Sequence, residues 1–331
     1  MALPLGNASL EEAISPRLAL VEERLRNAVA QSDRLADATS RHLVDAGGKR
    51  LRPALVLLAA QLGEGTRPEV VDAAVVVELT HLATLYHDDV MDDAPTRRGA
   101  PSAHEVWGNS VAILTGDLLF ARASRVVAGL GPEAVRIQAE TFERLCIGQL
   151  HETVGPDAGE DAVEHYLTVL ADKTGSLVAT SARFGAMFSG CDRTTVAAVT
   201  QFGELAGVAF QLADDVLDIR SDSDVSGKTP GTDLREGVST MPILLLRKRV
   251  AGAAASDADI ALLGLIDGDL SSDDALAAVL AGLRTHAVVD ETAALAHEWA
   301  ARAKDSISGL PESDVKDALV GFADALVARA T

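Results

Sequence analysis

Apolar residues recur every three or four positions along most of the chain, the period of one buried helix face. Ser15-Pro16 predicts a helix start, with proline in the first turn, and an amphipathic helix to about Asp37. The segment before it, 1–14, is expected to be loosely ordered. AGGKRLRP, 46–53, is a glycine-led break, and a mostly apolar helix should follow it to about Leu62. The next helix should run from Pro68 to Met91. Within it VVDAAVVVELTHLATLYH is apolar nearly all round, which marks a helix buried in a large bundle. Further helices are expected over 109–129, 133–153, 159–188 and 194–220. SDSDVSGKTPGTDLREGVSTMP, 221–242, is rich in Gly, Ser, Asp, Thr and Pro and predicts a long functional loop. Four or five more helices should complete the chain. No repeat, low-complexity block or linker divides it, so 1–331 is expected to be one domain.

Composition sharpens this picture. With 331 residues and 48% apolar side chains, the chain can bury a sizeable core. Aromatics make up only 3%, and Ala, Leu and Val dominate, which predicts an all-α fold. The 49 acidic residues outnumber the 29 basic ones, a balance that repels nucleic acid backbones. The two cysteines, Cys146 and Cys191, stand in no metal or disulfide pattern, which fits a reducing cytosol. The first residues carry no secretory pattern. No continuous apolar run reaches the ~18 residues of a membrane span. A cytoplasmic protein without a transmembrane segment is expected.

Two short stretches stand out against this background. HDDVMDDA holds Asp88, Asp89 and Asp92, and QLADDVLDI repeats the spacing with Asp214, Asp215 and Asp218. At i and i+4 the first and last aspartate of each cluster stack one helical turn apart. Carboxylates this close repel one another unless a cation lies between them. All-oxygen ligands select a hard cation, Mg²⁺ or Ca²⁺, and Mg²⁺ completes its shell with water and substrate phosphate. Each cluster ends an apolar helix and should lie at the rim of a core. A solvated acidic face is the bland alternative; two matching clusters weigh against it.

Cations suited to a diphosphate accompany the clusters. Arg97 and Arg98 follow the first one. Lys49, Arg50 and Arg52 sit in GGKRLRP, where glycines let backbone N–H groups approach an anion. Lys173 and Thr174 lie mid-helix in ADKTGSL, and Lys228 lies in the loop after the second cluster. Arg50 reads as an ordinary surface cation.

GGKRLRP, ELTHLATLYHDDVMDDAPTRRG, DKTGSL and FQLADDVLDI with its Gly-Lys and DLREG loop, in that order, resemble the trans-prenyltransferases, or polyprenyl diphosphate synthases. The resemblance spans about residues 40–245. It implies an isoprenoid-synthase fold, a homodimer, and a cavity with the two aspartate motifs facing each other across its mouth. It implies Mg²⁺, roughly three ions per active site, on Asp88, Asp89, Asp92, Asp214, Asp215 and Asp218. It places isopentenyl diphosphate on Lys49, Arg52, His81 and Arg98. The allylic diphosphate falls to Arg97, Lys173, Thr174, Gln211 and Lys228, with Lys173 and Lys228 also assisting catalysis. His81 on its own would read as a core histidine. Two departures concern closure over the site: Val238 stands where the family often has lysine, and ALVARAT is not a basic tail.

The implied reaction is head-to-tail condensation: the allylic C–O bond breaks, the isopentenyl double bond attacks, and a proton leaves. No side chain in the motifs is an obvious base, so the released diphosphate is the expected acceptor. Small residues precede the first cluster: Ala83 and Thr84, then Thr80 and Val77 or Val76. Short-chain relatives place bulky aromatics there, so a product longer than farnesyl is expected, heptaprenyl to decaprenyl. Ala83→Phe should shorten it, and Phe120 is a candidate tunnel floor. A geranylgeranyl product, a helper subunit and release of product at a membrane surface stay open.

Other readings fit less well. GKT at 227–229 lacks the P-loop glycine, since Asp222 stands at its position. A calcium-binding loop over 222–233 would need a helix to leave at once, against Gly237 and Pro242. A class I terpene cyclase would need no isopentenyl site. A non-catalytic partner subunit would not keep both aspartate sets.

Overall fold

A computed structural model describes residues 7–220, 230–253 and 255–328. The helices are α1 (Ala8–Val29), α2 (Arg34–Asp45), α3 (Leu51–Ala59, with a 3-10 turn to Leu62), α4 (Pro68–Met91), α5 (Ala103–Trp107) and α6 (Asn109–Ala128). There follow α7 (Pro132–Val154), α8 (Ala162–Leu170), α9 (Ser176–Phe188), α10 (Arg193–Arg220), α11 (Thr232–Arg235) and α12 (Met241–Ala251). The last are α13 (Asp257–Ile266), α14 (Asp273–Arg284), α15 (Ala287–Ser306) and α16 (Asp314–Val327). The one sheet among the described residues is a hairpin of β1 (Thr96–Arg97) and β2 (Ala100–Pro101). The fold is all-α, as composition predicts.

Contacts divide the chain into two compact units. The first comprises Met1–Leu145, Ser176–Glu204 and Ser306–Phe322. Its centre is α4, packed along α6 and against α1, α3 and α9. Val70, Val71 and every residue from Ala73 to Thr80 are buried. α6 approaches closely at Gly116, where a Cβ would run into the His87 ring. The second unit comprises Cys146–Gly175, Leu205–Asp305 and Ala323–Thr331. Its core draws Tyr166, Leu212, Val216, Met241, Leu246, Leu283 and Val288 together. The unit boundaries fall inside or at the ends of helices, so no linker composition marks them in the sequence.

Several expectations are corrected. The first helix starts at Ala8, capped by the Asn7 side chain on the Ser9 N–H at 2.8 Å, and Pro16 lies inside it. Glu12 and Pro16 are both exposed, so water can solvate the carbonyl that proline leaves without its helical donor. The expected helix to Asp37 is broken, and Asp33 caps a new one. The 159–188 helix is interrupted by a π-helical turn over Ala171–Gly175. α4 and α10 are long and apolar enough to cross a membrane by length and composition, although aspartates interrupt both. α4 is largely buried inside the protein, as a core helix is.

Candidate active site

The buried character of α4 ends at His81. From there His81, Thr84, Leu85 and Asp88 are partly accessible, at the i, i+3, i+4, i+7 spacing of one helix face. Asp92 follows as the exposed C-cap residue, its N–H on the Asp88 carbonyl at 2.8 Å. Asp88 and Asp92 are therefore presented together. Asp89 is not: it is 0% exposed and accepts from Arg97 Nε at 2.6 Å, while its second oxygen is buried without a hydrogen-bond partner among the described residues. Burial raises its pKa, and Arg97 opposes that rise. The expected role of Asp89 as a metal ligand gives way to that of an internal anchor for Arg97.

Arg97 and Arg98 reach this site on the β1–β2 hairpin. Arg98 and Gly99 both have positive φ, 55° and 78°, as a tight I′-type hairpin turn requires. Arg98 donates through Nη1 to the carbonyls of Leu43, at 3.1 Å, and Gly47. Gly48 allows the approach: a Cβ there would lie 2.8 Å from the Arg98 guanidinium carbon. Arg50 is not a surface cation. It is 6% exposed and bridges Glu22, Glu78 (2.7 Å) and the Val44 carbonyl (3.1 Å). The left-handed bend at Gly47, Gly48 and Arg50 turns this side chain inward.

Arg52, in the first turn of α3, has a buried Nε with no hydrogen-bond partner among the described residues. A buried cationic donor of that kind suits an anion. Burial lowers its pKa, Glu78 opposes that and Arg98 adds to it. The His81 pKa is held well below the usual value by burial, then by Arg52, Arg98, Arg97 and Arg50. Its ring is neutral and can still donate one N–H. Lys49 is exposed on the same segment.

The second unit repeats the motif on α10. Gln211, Asp214, Leu217 and Asp218 are partly accessible, while Asp215 is 1% exposed. Asp215 accepts from the Tyr166 hydroxyl at 3.0 Å and from the Met241 N–H at 3.2 Å. Burial, more than anything else, raises its pKa well above the carboxylate range. Like Asp89, it faces inward and is not presented with its neighbours. Asp218 Oδ1 accepts from the Thr232 N–H at 3.3 Å. Lys173 lies in the π turn and pairs with Glu152, and Thr174 Oγ1 donates to Gln211 Oε1 at 3.3 Å. Lys228 lies outside the described residues.

The chain-length candidates separate by face. Thr84 stands ~40° from Asp88 around α4, and Ala83 roughly 140°. Val77, Thr80 and Ala83 are fully buried, whereas Thr84 keeps partial access. Phe120 packs on Phe142 with ring centroids 3.9 Å apart and lies 6.0 Å from the His87 ring.

Glu78, Glu152 and both tyrosines were not legible as site residues. Tyr86, two positions before Asp88, donates to the Thr39 carbonyl at 2.5 Å and ties α4 to α2. Tyrosine is rare here, with two in the chain, and each braces an aspartate-bearing helix. His104 Nε2 lies 3.4 Å from Glu105 and 3.7 Å from Asp93. A metal there would leave the buried Nδ1–H without an acceptor among the described residues, unlike most metal-bound imidazoles. The paired aspartates offer the better metal ligands.

Residues 33–263 match the family model described as polyprenyl synthetase. The chain is 44% identical over 326 residues to nonaprenyl diphosphate synthase of Mycobacterium tuberculosis, covering 98% of this chain and 96% of that one. It is 34% identical over 312 residues to heptaprenyl diphosphate synthase component 2 of Geobacillus stearothermophilus, covering 92% and 93%. Among solved structures, geranylgeranyl pyrophosphate synthase from Corynebacterium glutamicum, complexed with calcium and isoprenyl diphosphate, matches with TM-score 0.85 and 40% identity, covering 98% of each chain.

Proposed function

The chain belongs to the polyprenyl synthetase family, and from that premise we propose that it condenses isopentenyl diphosphate with an allylic diphosphate to make a long all-trans prenyl diphosphate. The observation that carries this reading is the repeated presentation of an aspartate pair, Asp88 with Asp92 and Asp214 with Asp218, on the accessible faces of two core helices. Oxygen-only pairs of this kind fit Mg²⁺. When bound, Mg²⁺ supplies positive charge to the departing diphosphate.

The chain's own residues do the rest. Lys49, Arg52, His81 and Arg98 hold isopentenyl diphosphate. Arg97, Lys173, Thr174, Gln211 and Lys228 hold the allylic diphosphate. The allylic cation left when diphosphate departs is attacked by the isopentenyl double bond, and the departing diphosphate takes the proton.

A product of heptaprenyl to decaprenyl length fits the small side chain of Thr84 on the accessible face of α4 and the similarity to the nonaprenyl and heptaprenyl enzymes. Similarity to the geranylgeranyl enzyme favours a second, shorter reading. Thr84→Phe should shorten the product, read as product mass. An unchanged length removes Thr84 from the tunnel wall. Ala83→Phe should instead strain the core, since Ala83 is fully buried.

The working form is a cytoplasmic homodimer. Ile113 and Leu114 of α6, 42% and 65% exposed, give an apolar face for the second copy. Similarity to a protein named as one component of a synthase raises a helper subunit as the alternative partner. A long product would leave through contact with a membrane surface. Sedimentation of the purified chain tests the dimer, and a monomeric mass at assay concentration counts against it.

A further inference from the structure

We propose that Glu78 is a positioning residue for isopentenyl diphosphate, acting through Arg98 and Arg50 without touching the substrate. The proposal rests on the reading that Arg52, His81 and Arg98 hold that diphosphate.

Glu78 is 1% exposed and sits one turn before His81 on α4. Its Oε1 accepts from Arg50 Nη1 at 2.7 Å and lies 3.6 Å from Arg98 Nη2. Three arginines, Arg50, Arg52 and Arg98, gather around Glu78 in the middle of the helix, and their like charges disfavour one another. A buried carboxylate among them lowers that cost, and Arg52 and Arg98 are both steadied by it. Geometry gives Glu78 a second effect. Arg98 spends Nη1 on the Leu43 and Gly47 carbonyls and directs Nη2 at Glu78, so the guanidinium plane is fixed before any anion arrives. Arg50 ties the same carboxylate to Glu22 on α1 and to the Val44 carbonyl. The bend that carries Lys49 and leads to Arg52 is thereby held by a network centred on Glu78.

The test is steady-state kinetics with each substrate varied in turn. Glu78→Gln keeps the shape and removes the charge. It should raise KM for isopentenyl diphosphate about tenfold and leave KM for the allylic primer within about twofold. Arg50→Lys keeps a charge but cannot bridge three partners, and should act on the same parameter. If Glu78→Gln will not fold, Arg50→Lys decides alone. A fall in kcat alone, or an equal rise in both KM values, would show a merely structural role and overturn the proposal. Arg52→Ala separates the two readings. If it leaves the isopentenyl KM unchanged, the site assignment fails. If it raises that KM while Glu78→Gln and Arg50→Lys do not, only the role of Glu78 fails.

Discussion

The two aspartate-bearing helices, α4 and α10, share one motif and anchor it by opposite means. Both present the outer aspartates and bury the middle one. On α4 the middle residue, Asp89, is anchored by a cation, Arg97. On α10 its counterpart, Asp215, is held by neutral donors, a tyrosine hydroxyl and a backbone N–H. A charged partner offsets the burial of Asp89, so that carboxylate is steadied and a hairpin cation is fixed beside it. Burial raises the pKa of both carboxylates, opposed at Asp89 by the Arg97 charge and at Asp215 by the Met241 N–H and the Tyr166 hydroxyl. What Asp215 secures is structure: it ties α10 to α8 and to the first residue of α12. The lesson is that an aspartate in such a motif is not automatically a metal ligand. Its partners on the protein side decide its task.

This comparison can be broken most sharply at an outer aspartate. Asp214→Ala should lower kcat roughly a thousand-fold with folding intact. A loss of only a few-fold, measured by turnover, would end the distinction between outer and middle residues. The middle residues should then differ from each other. Asp89→Asn strands Arg97 beside a buried amide and should cost about 2 kcal/mol in urea unfolding. Asp215→Asn can still accept from the Met241 N–H and pair with Tyr166, and should cost under about 1 kcal/mol. Equal costs would contradict the contrast between charged and neutral anchors. Tyr166→Phe should cost about 1 kcal/mol, with turnover changed by a few-fold at most.

The smallest effect concerns pH. α4 carries His81 seven residues before its first aspartate, where α10 has Gly207. The folded His81 pKa lies below its unfolded value, about 6.5, so the unfolded chain binds the extra proton first as pH falls. Stability from this group is complete above about pH 6.5 and declines on acidification below it. The pH dependence of the unfolding midpoint below 6.5 should be shallower in His81→Gln, and an identical slope would contradict it.

Much of this was readable in the chain because it follows from periodicity. The bounds of α4 are those its apolar pattern predicts, and the 3.6-residue repeat places Asp88 and Asp92 on one face. What was not readable depends on partners distant in sequence. Arg50 and Arg52 look alike in GGKRLRP, yet Glu22 and Glu78 claim the first, while the second keeps a buried donor with no partner among the described residues. Asp89 and Asp215 look like their neighbours until Arg97 and Tyr166 are seen. The helix start at Ala8 was hidden because Pro16, an apparent first-turn residue, sits where a freed carbonyl can face water.

The most direct measurement of the central claim is product mass after incubating the purified chain with isopentenyl diphosphate, farnesyl diphosphate and Mg²⁺, with and without EDTA. The account predicts a ladder of five-carbon additions that ends in one long prenyl diphosphate and vanishes with EDTA. Consumption of farnesyl diphosphate without incorporation of isopentenyl units would contradict it.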